Sequence, residues 1–207
     1  MSIIINIMLT IVIQAGGESR RMGENKALLS FLGKPLIERV LERVGSLGDE
    51  ILITTNHTEG FEFLHLPLIA DIYPGSGALG GLHTSLKVAR SPLVAIVACD
   101  MPFASRELLA YQRDVIQHEA ADVVIPATDQ GFEPMHAVYR RETCLPAVED
   151  ALRQGQRRMI SWFSSVNVHV LAENEIAEYD PDHRAFMNVN TPEELAEAEI
   201  IAQLEMD

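Results

Sequence analysis

The sequence predicts an α/β fold with a mainly parallel central sheet. Short apolar runs rich in β-branched residues alternate with stretches of helical spacing, which is the pattern of strands joined by crossover helices. The first run, Ile3 to Ile13, is almost wholly aliphatic and lacks polar alternation, as suits a strand buried on both faces. Finally, the informative polar residues fall just past the ends of several runs.

In chain order, Ile3–Ile13 is the first predicted strand and ends at Ala15-Gly16-Gly17. A helix is predicted over Leu36–Leu47, with Pro35 suited to its first turn because that position has no hydrogen bond to lose. Strands follow at Glu50–Thr55 and Leu66–Ala70, then a helix at Leu79–Ala89. "PLVAIVAC" (Pro92–Cys99) reads as a buried strand, Ser105 as the N-cap of a helix to His118, "ADVVIPA" (Ala121–Ala127) as a strand and Glu142–Gln154 as a helix. The chain closes with a helix, because Thr191, Pro192 and Glu194 occupy the N-cap, N1 and N3 positions of a capping box.

With 207 residues and 47% hydrophobic content, the chain is read as a single domain spanning residues 1–207, without repeats or low-complexity segments. Ile3–Ile13 is too short to span a bilayer and has no positive segment before it, so a cytoplasmic protein is expected. Cys99 and Cys144 are far apart and not in metal-ligand spacing, in keeping with buried thiols in a reducing compartment. The seven histidines are scattered and do not suggest zinc. The net charge is −14; residues 1–100 carry 8 basic and 10 acidic side chains, and residues 101–207 carry 8 and 20. Nucleic acid is an unsuitable partner for such a chain, whereas a small polyphosphate needs only a local basic cluster such as Arg20, Arg21, Lys26 and Lys34.

That cluster follows the first strand. Gly16 and Gly17 let backbone N–H groups approach phosphate oxygens without an intervening Cβ, and Gly23 adds a third permissive position. Arg20 and Arg21 offer planar forks, while Lys26 is a compact point charge. Ligands on open α/β sheets bind outside the carboxyl ends of the strands. Asn56, Asp71 and Asp100 stand at three further such ends. Asp100, leaving a buried strand into Met101-Pro102, is the candidate carboxylate for Mg²⁺, a hard ion held by one or two carboxylates plus substrate phosphates; the plainer alternative is a turn-capping aspartate.

Several signals admit other readings. "GSGALG" (Gly75–Gly80) matches a dinucleotide fingerprint with Asp100 twenty residues beyond it, but Asp71-Ile72-Tyr73-Pro74 separates it from the preceding strand. These glycines are therefore expected to let a loop approach a ligand. His83, His136 and Glu133 lie near motif segments and are read as polar neighbours. Arg157 and Arg158 either meet a phosphate of a second substrate or form a solvated pair.

"AGGESRRMGENKALLSFLGKPLIERV" (Ala15–Val40) resembles the opening signature of the molybdenum cofactor guanylyltransferases. "ACDMPF" (Ala98–Phe103), "EPMHAVYRR" (Glu133–Arg141) and "NVNTPEEL" (Asn188–Leu195) resemble that family's later motifs, in the same order. The resemblance implies a three-layer α/β/α Rossmann-like nucleotidyltransferase that joins GMP from GTP to the phosphate of molybdopterin or molybdenum-molybdopterin, releasing pyrophosphate, with Mg²⁺ as cofactor. It implies catalytic roles for Lys26, Arg21 and Asp100, nucleotide contacts from Gln14, Ala15, Gly16, Gly17, Lys26, Asn56, Asp71 and Asp100, and supporting roles for Arg20, Gly23 and Asn190. Molybdoenzymes and their chaperones are the implied protein partners; nucleic acid and membrane are not. Gln14 departs from the aliphatic residue common at its position and is expected to add a base or ribose hydrogen bond. Molybdopterin cytidylyltransferases and sugar-phosphate nucleotidylyltransferases share the general fold, but Ala15-Gly16-Gly17 favours the guanylyl members. A reading of another class is a non-catalytic nucleotide-binding regulator, against which Lys26 and Asp100 are both retained.

Overall fold

The computed structural model describes residues 8–16 and 25–205. The chain runs β1 (Leu9–Gln14), β2 (Ser30–Phe31), β3 (Lys34–Pro35), α1 (Leu36–Val44), β4 (Glu50–Thr54), β5 (Leu68–Ile69), α2 (Gly77–Val88), β6 (Leu93–Ala98) and α3 (Arg106–His118). It continues with β7 (Val123–Thr128), β8 (Gly131–Phe132), β9 (His136–Arg140), α4 (Arg141–Arg153), β10 (Val168–Leu171), α5 (Glu173–Ala177) and α6 (Pro192–Leu204). Among the described residues, eight strands form one sheet, ordered β10-β7-β9-β6-β1-β4-β5 with β8 attached to β7. The pairs β1–β4, β1–β6, β4–β5 and β7–β10 are parallel.

The mainly parallel sheet is as expected, with one strand that the sequence pattern did not disclose. β9 lies between β6 and β7 and is antiparallel to both. Its sequence, His-Ala-Val-Tyr-Arg, mixes a buried histidine with apolar residues, so neither an apolar run nor clean alternation announces it. The short strand β10 and helix α5 were likewise not foreseen. The expected strand Leu66–Ala70 shortens to Leu68–Ile69, and Pro35 precedes its helix, pairing with Ser30 in the β2–β3 hairpin. Ile3 to Ile7 lie outside the described residues.

Strand periodicity divides the core into two layers. Ile11 and Ile13 of β1 pack with Ile37 and Val40 of α1 and Leu108 and Leu109 of α3. Val12 faces the other way, onto Leu79, Leu82 and Leu86 of α2, which share that layer with Val148 of α4. All six residues of β1 are buried, matching the expected two-sided burial. Its one buried hydroxyl is satisfied, since Thr10 Oγ1 donates to Glu50 Oε2 at 2.7 Å. In α1, Leu36, Ile37, Val40 and Val44 form a single buried stripe; each such side chain contributes about 2 kcal/mol when removed from water. A third cluster seats α6 through Ala198 and Ala202 against Phe31, Leu36, Phe103 and Val189. No helix among the described residues is long and apolar enough to cross a membrane.

The β8–β9 corner is pinned by Tyr139, a fully buried residue whose hydroxyl donates to the Pro134 carbonyl at 2.8 Å. This bond holds the segment that carries Met135 to the end of β6, where Ala98 N donates to Met135 O at 3.2 Å. Tyr139→Phe should cost about 1 kcal/mol, the worth of one buried hydrogen bond. A lower denaturation midpoint at unchanged m-value is the expected readout.

Candidate active site

From β1 the chain proceeds outward to β4 and β5 on one side, while β6 pairs on the other. This reversal makes the carboxyl ends of β1 and β6 a topological switch point, where the loops leave in opposite directions and open a crevice. The two strands stay joined to their last residues, with Cys99 N donating to Gln14 O at 3.0 Å. A cleft of ≈ 480 Å³ opens there, within the size range of small-molecule sites. Gln14, Ala15, Gly16, Lys26, Asn56, Asp71 and Asp100 all line it. Gly17, Arg20, Arg21 and Gly23 lie outside the described residues.

The charged end of the cleft joins three distant segments. Lys26 Nζ stands 3.4 Å from Asp100 Oδ2 and donates to Asn190 Oδ1 at 2.5 Å. Lys26 opens a single 3-10 turn, Lys26–Leu28, seated by fully buried Ala27 and capped by Asn25, whose Oδ1 accepts from Ala27 N. Asp100 leaves β6, and its carbonyl accepts from Val189 N at 2.9 Å, tying that loop to the chain before α6. The capping box then fixes Asn190. Glu194 Oε2 accepts from both Asn190 N and Thr191 N, while Thr191 Oγ1 accepts from Glu194 N. A pattern that ordinarily only starts a helix thus also delivers an amide oxygen to Lys26.

Asp100 is only 18% exposed at its side chain. Burial raises its carboxyl above the usual carboxylate range, and the Lys26 ammonium opposes that rise. The Lys26 charge therefore favours the ionised form in a place that disfavours it. At the other end of the cleft, Asn56 and Asp71 clasp one another: Asn56 Nδ2 donates to Asp71 Oδ2 and Asp71 N donates to Asn56 Oδ1, both at 2.9 Å. Gly77 and Ala78, in the first turn of α2, form another wall; unpaired N–H groups and the helix dipole make such a turn hospitable to anions.

Other candidates fall elsewhere. Lys34 pairs with Glu38 and Glu42 along α1 and is not among the cleft-lining residues. His136 is fully buried, and its Nε2 accepts from Ser105 N at 3.1 Å. Burial lowers its pKa to about 4, so it serves as a neutral acceptor that ties α3 to β9. His83 Nε2 lies 3.3 Å from Glu149 Oε1 beneath the Tyr73 ring. Glu133 accepts from Thr128 Oγ1, and burial raises its carboxyl pKa. Arg157 Nη1 donates to Gly75 O at 2.7 Å, bracing the glycine loop. That loop follows β5 only after residues 70–74 and lines the cleft, which argues against the dehydrogenase reading and supports a ligand-approach role. Met135, Cys99 and Asn25 also line the cleft; sequence inspection missed their placement, although each lies within a quoted motif. Among the described residues no three His, Cys, Asp or Glu side chains cluster as a metal cage.

The MobA-like NTP transferase domain matches residues 11–169, a span that runs from within β1 to within β10. The chain belongs to the MobA-like NTP transferase family. Relatives of this MobA-like chain include the probable molybdenum cofactor guanylyltransferase of Pelotomaculum thermopropionicum, 36% identical over 192 residues, which covers 93% of this chain and 92% of the relative. The molybdenum cofactor guanylyltransferase of Desulfosudis oleivorans is 35% identical, covering 91% and 93%. Among solved structures, molybdopterin-guanine dinucleotide biosynthesis protein A from Archaeoglobus fulgidus superposes with a TM-score of 0.82 at 28% identity, covering 94% of this chain and 99% of that one. The 4-diphosphocytidyl-2C-methyl-D-erythritol synthase of Anaerococcus prevotii shares the fold alone, with a TM-score of 0.70 at 14% identity over 95% and 99% of the two chains.

The capping box of this MobA-like transferase should bear on stability and turnover together. Glu194→Ala removes the acceptor for Asn190 N and Thr191 N and should cost about 1 kcal/mol of stability, as lost caps do. Turnover should fall with it, and Glu194→Gln, which keeps an acceptor oxygen, should recover most of both. Thermal unfolding and initial rates measured on the same preparations check this.

Proposed function

We propose that this protein transfers GMP from GTP to the terminal phosphate of molybdopterin or molybdenum-molybdopterin, releasing pyrophosphate. The observation that carries the reading is the convergence of Lys26, Asp100 and Asn190 at the switch-point crevice, in a chain whose relatives are named for this reaction. Polyphosphate chemistry follows from the site's residues; the identity of the two substrates comes from the relatives' names.

The attacking group is a phosphate monoester oxygen. Its second pKa lies near ~6, so it is largely ionised at neutral pH and needs no general base. The enzyme's task is instead to bring two anions together and to stabilise charge on the leaving pyrophosphate. Lys26 would take the triphosphate, and Arg21, Arg20 and the N–H groups of Ala15, Gly16 and Gly17, with Gly23 easing the loop, would surround it. Asn56 and Asp71 would hold the nucleoside, and Gln14 would add a base or ribose hydrogen bond.

The donors present suit Mg²⁺. Asp100 offers one hard carboxylate beside the amide oxygen of Asn190, both within reach of Lys26. One carboxylate, completed by phosphate oxygens and water, is a common way of holding this ion. When bound, Mg²⁺ would neutralise charge on the triphosphate and on the pyrophosphate as it departs. Asp100 must be ionised for this, which is why Lys26 matters even before substrate binds. Molybdoenzymes and their chaperones are the recipients of product that this reading implies.

Pyrophosphate release should require Mg²⁺, molybdopterin and GTP together, and should fail with CTP or with sugar 1-phosphates in place of the respective substrates. Lys26→Ala and Asp100→Ala should each lower turnover by at least about a hundredfold, as losing one preorganised electrostatic group does; wild-type rates in both would sink the assignment. Asp100→Asn adds a separable readout. Because burial raises the Asp100 pKa in the folded state, its contribution to stability is present below the unfolded pKa and lost as pH rises through the folded one. The inactive Asp100→Asn protein should therefore melt at or above the wild-type temperature at pH 7, and a clear drop would mean that burial is not the dominant influence on this carboxylate.

A further inference from the structure

We propose that the carboxamide of Gln14, locked in one orientation by Ser85, reads the guanine base through its Oε1 acceptor. This rests on the guanylyl-transfer reading above and goes further by naming the atom that distinguishes the base. Gln14 ends β1 on the same face as Val12, so its side chain turns toward α2. It is 8% exposed and lines the cleft.

The amide lies flat on Gly81. A Cβ added to that glycine would stand 2.8 Å from Oε1, 3.1 Å from Cδ and 3.4 Å from Nε2. Glycine inside a helix costs about 1 kcal/mol relative to alanine; here it makes room for the amide. Which way the amide faces is set one turn further along α2. Ser85 Oγ has a single hydrogen and donates it to Gly81 O at 2.7 Å. Toward Gln14 it can therefore only accept, and Nε2 stands 3.5 Å away as the donor. The amide nitrogen is thereby committed to Ser85, and Oε1, the amide atom nearest the Gly81 position, is left as the acceptor; Gln14 and Gly81 both line the cleft. Among the described residues Oε1 receives no hydrogen bond, which leaves it available to a ligand that supplies a donor.

Guanine supplies contiguous donors, N1–H and the N2 amino group. Cytosine carries one amino group, followed along the same edge by the acceptors N3 and O2, so an acceptor-lined cleft leaves more of its edge unpaired. A second acceptor lines the same cleft, since Asn56 engages Oδ2 of Asp71 and leaves its other carboxylate oxygen for the ligand. The cleft thus presents two acceptors to the base richest in adjacent N–H groups. A missing partner for a built acceptor is the kind of mismatch that gives strong discrimination.

The test is nucleotide affinity for GTP and CTP, by titration calorimetry, in wild type, Gln14→Leu and Ser85→Ala. Gln14→Leu should reduce the ratio of GTP to CTP affinity by roughly tenfold, the scale of one lost hydrogen bond. Ser85→Ala leaves Gln14 in place but frees the amide to turn, and should reduce the ratio by roughly threefold, so the inference survives scrutiny even if the leucine variant folds poorly. A wild-type preference for GTP that persists unchanged in both variants overturns this inference alone and leaves guanylyl transfer intact. An equal loss for both nucleotides overturns it in favour of a ribose or packing role. Equal wild-type affinity for GTP and CTP overturns both this inference and the guanylyl assignment.

Discussion

The arrangement depends on one ammonium group. Lys26 Nζ stands between Asp100 and Asn190, residues 74 and 164 positions away in the chain. An aspartate so far buried is costly to ionise, and a lysine beside it is what keeps the charge available. Three supports in the fold bear on that contact. The 3-10 turn seated by Ala27 carries the lysine, β6 ends at the carboxylate, and the capping box of α6 fixes the amide. A charge count alone would not build this site; three loops must arrive together.

The cleft divides its work by depth and by end. Around Lys26 and Asp100 it is charged and suits phosphate groups, whose recognition is electrostatic and tolerant of the attached nucleoside. Around Gln14, Asn56 and Asp71 it is neutral or acidic and oriented by hydrogen bonds within the protein. Glycine appears where these two ends meet the helix α2. Gly81 admits the Gln14 amide, and Gly77, at φ +63°, lets the chain turn into the helix at the cleft wall. Such positions sacrifice helix propensity for close approach.

Much of this was legible in the sequence because strand ends are legible. A buried apolar run followed by a polar residue marks the edge where ligands bind, and Gly16, Asn56, Asp71 and Asp100 were found that way; the structure gathers all four around one cleft. The resemblance to the guanylyltransferases named the reaction, and the family assignment agrees with it. What stayed hidden requires three dimensions. β9 is disguised by the buried His136, whose acceptor role toward Ser105 no spacing reveals. Lys34 looked like part of a basic cluster, but the helix that follows supplies Glu38 and Glu42 at the right spacing to claim it. The Gln14–Ser85 contact spans 71 residues and depends on a glycine between them, so nothing local announces it.

Under the proposed reaction, attack occurs at the α-phosphorus of GTP and pyrophosphate leaves. The most direct measurement follows labelled phosphate: GTP carrying the label at the α or the γ position is incubated with the protein, Mg²⁺ and molybdopterin, and the products are separated. The account predicts that the α label appears in the dinucleotide product and the γ label in pyrophosphate. Recovery of the γ label as inorganic phosphate, with GDP as the other product, would contradict it.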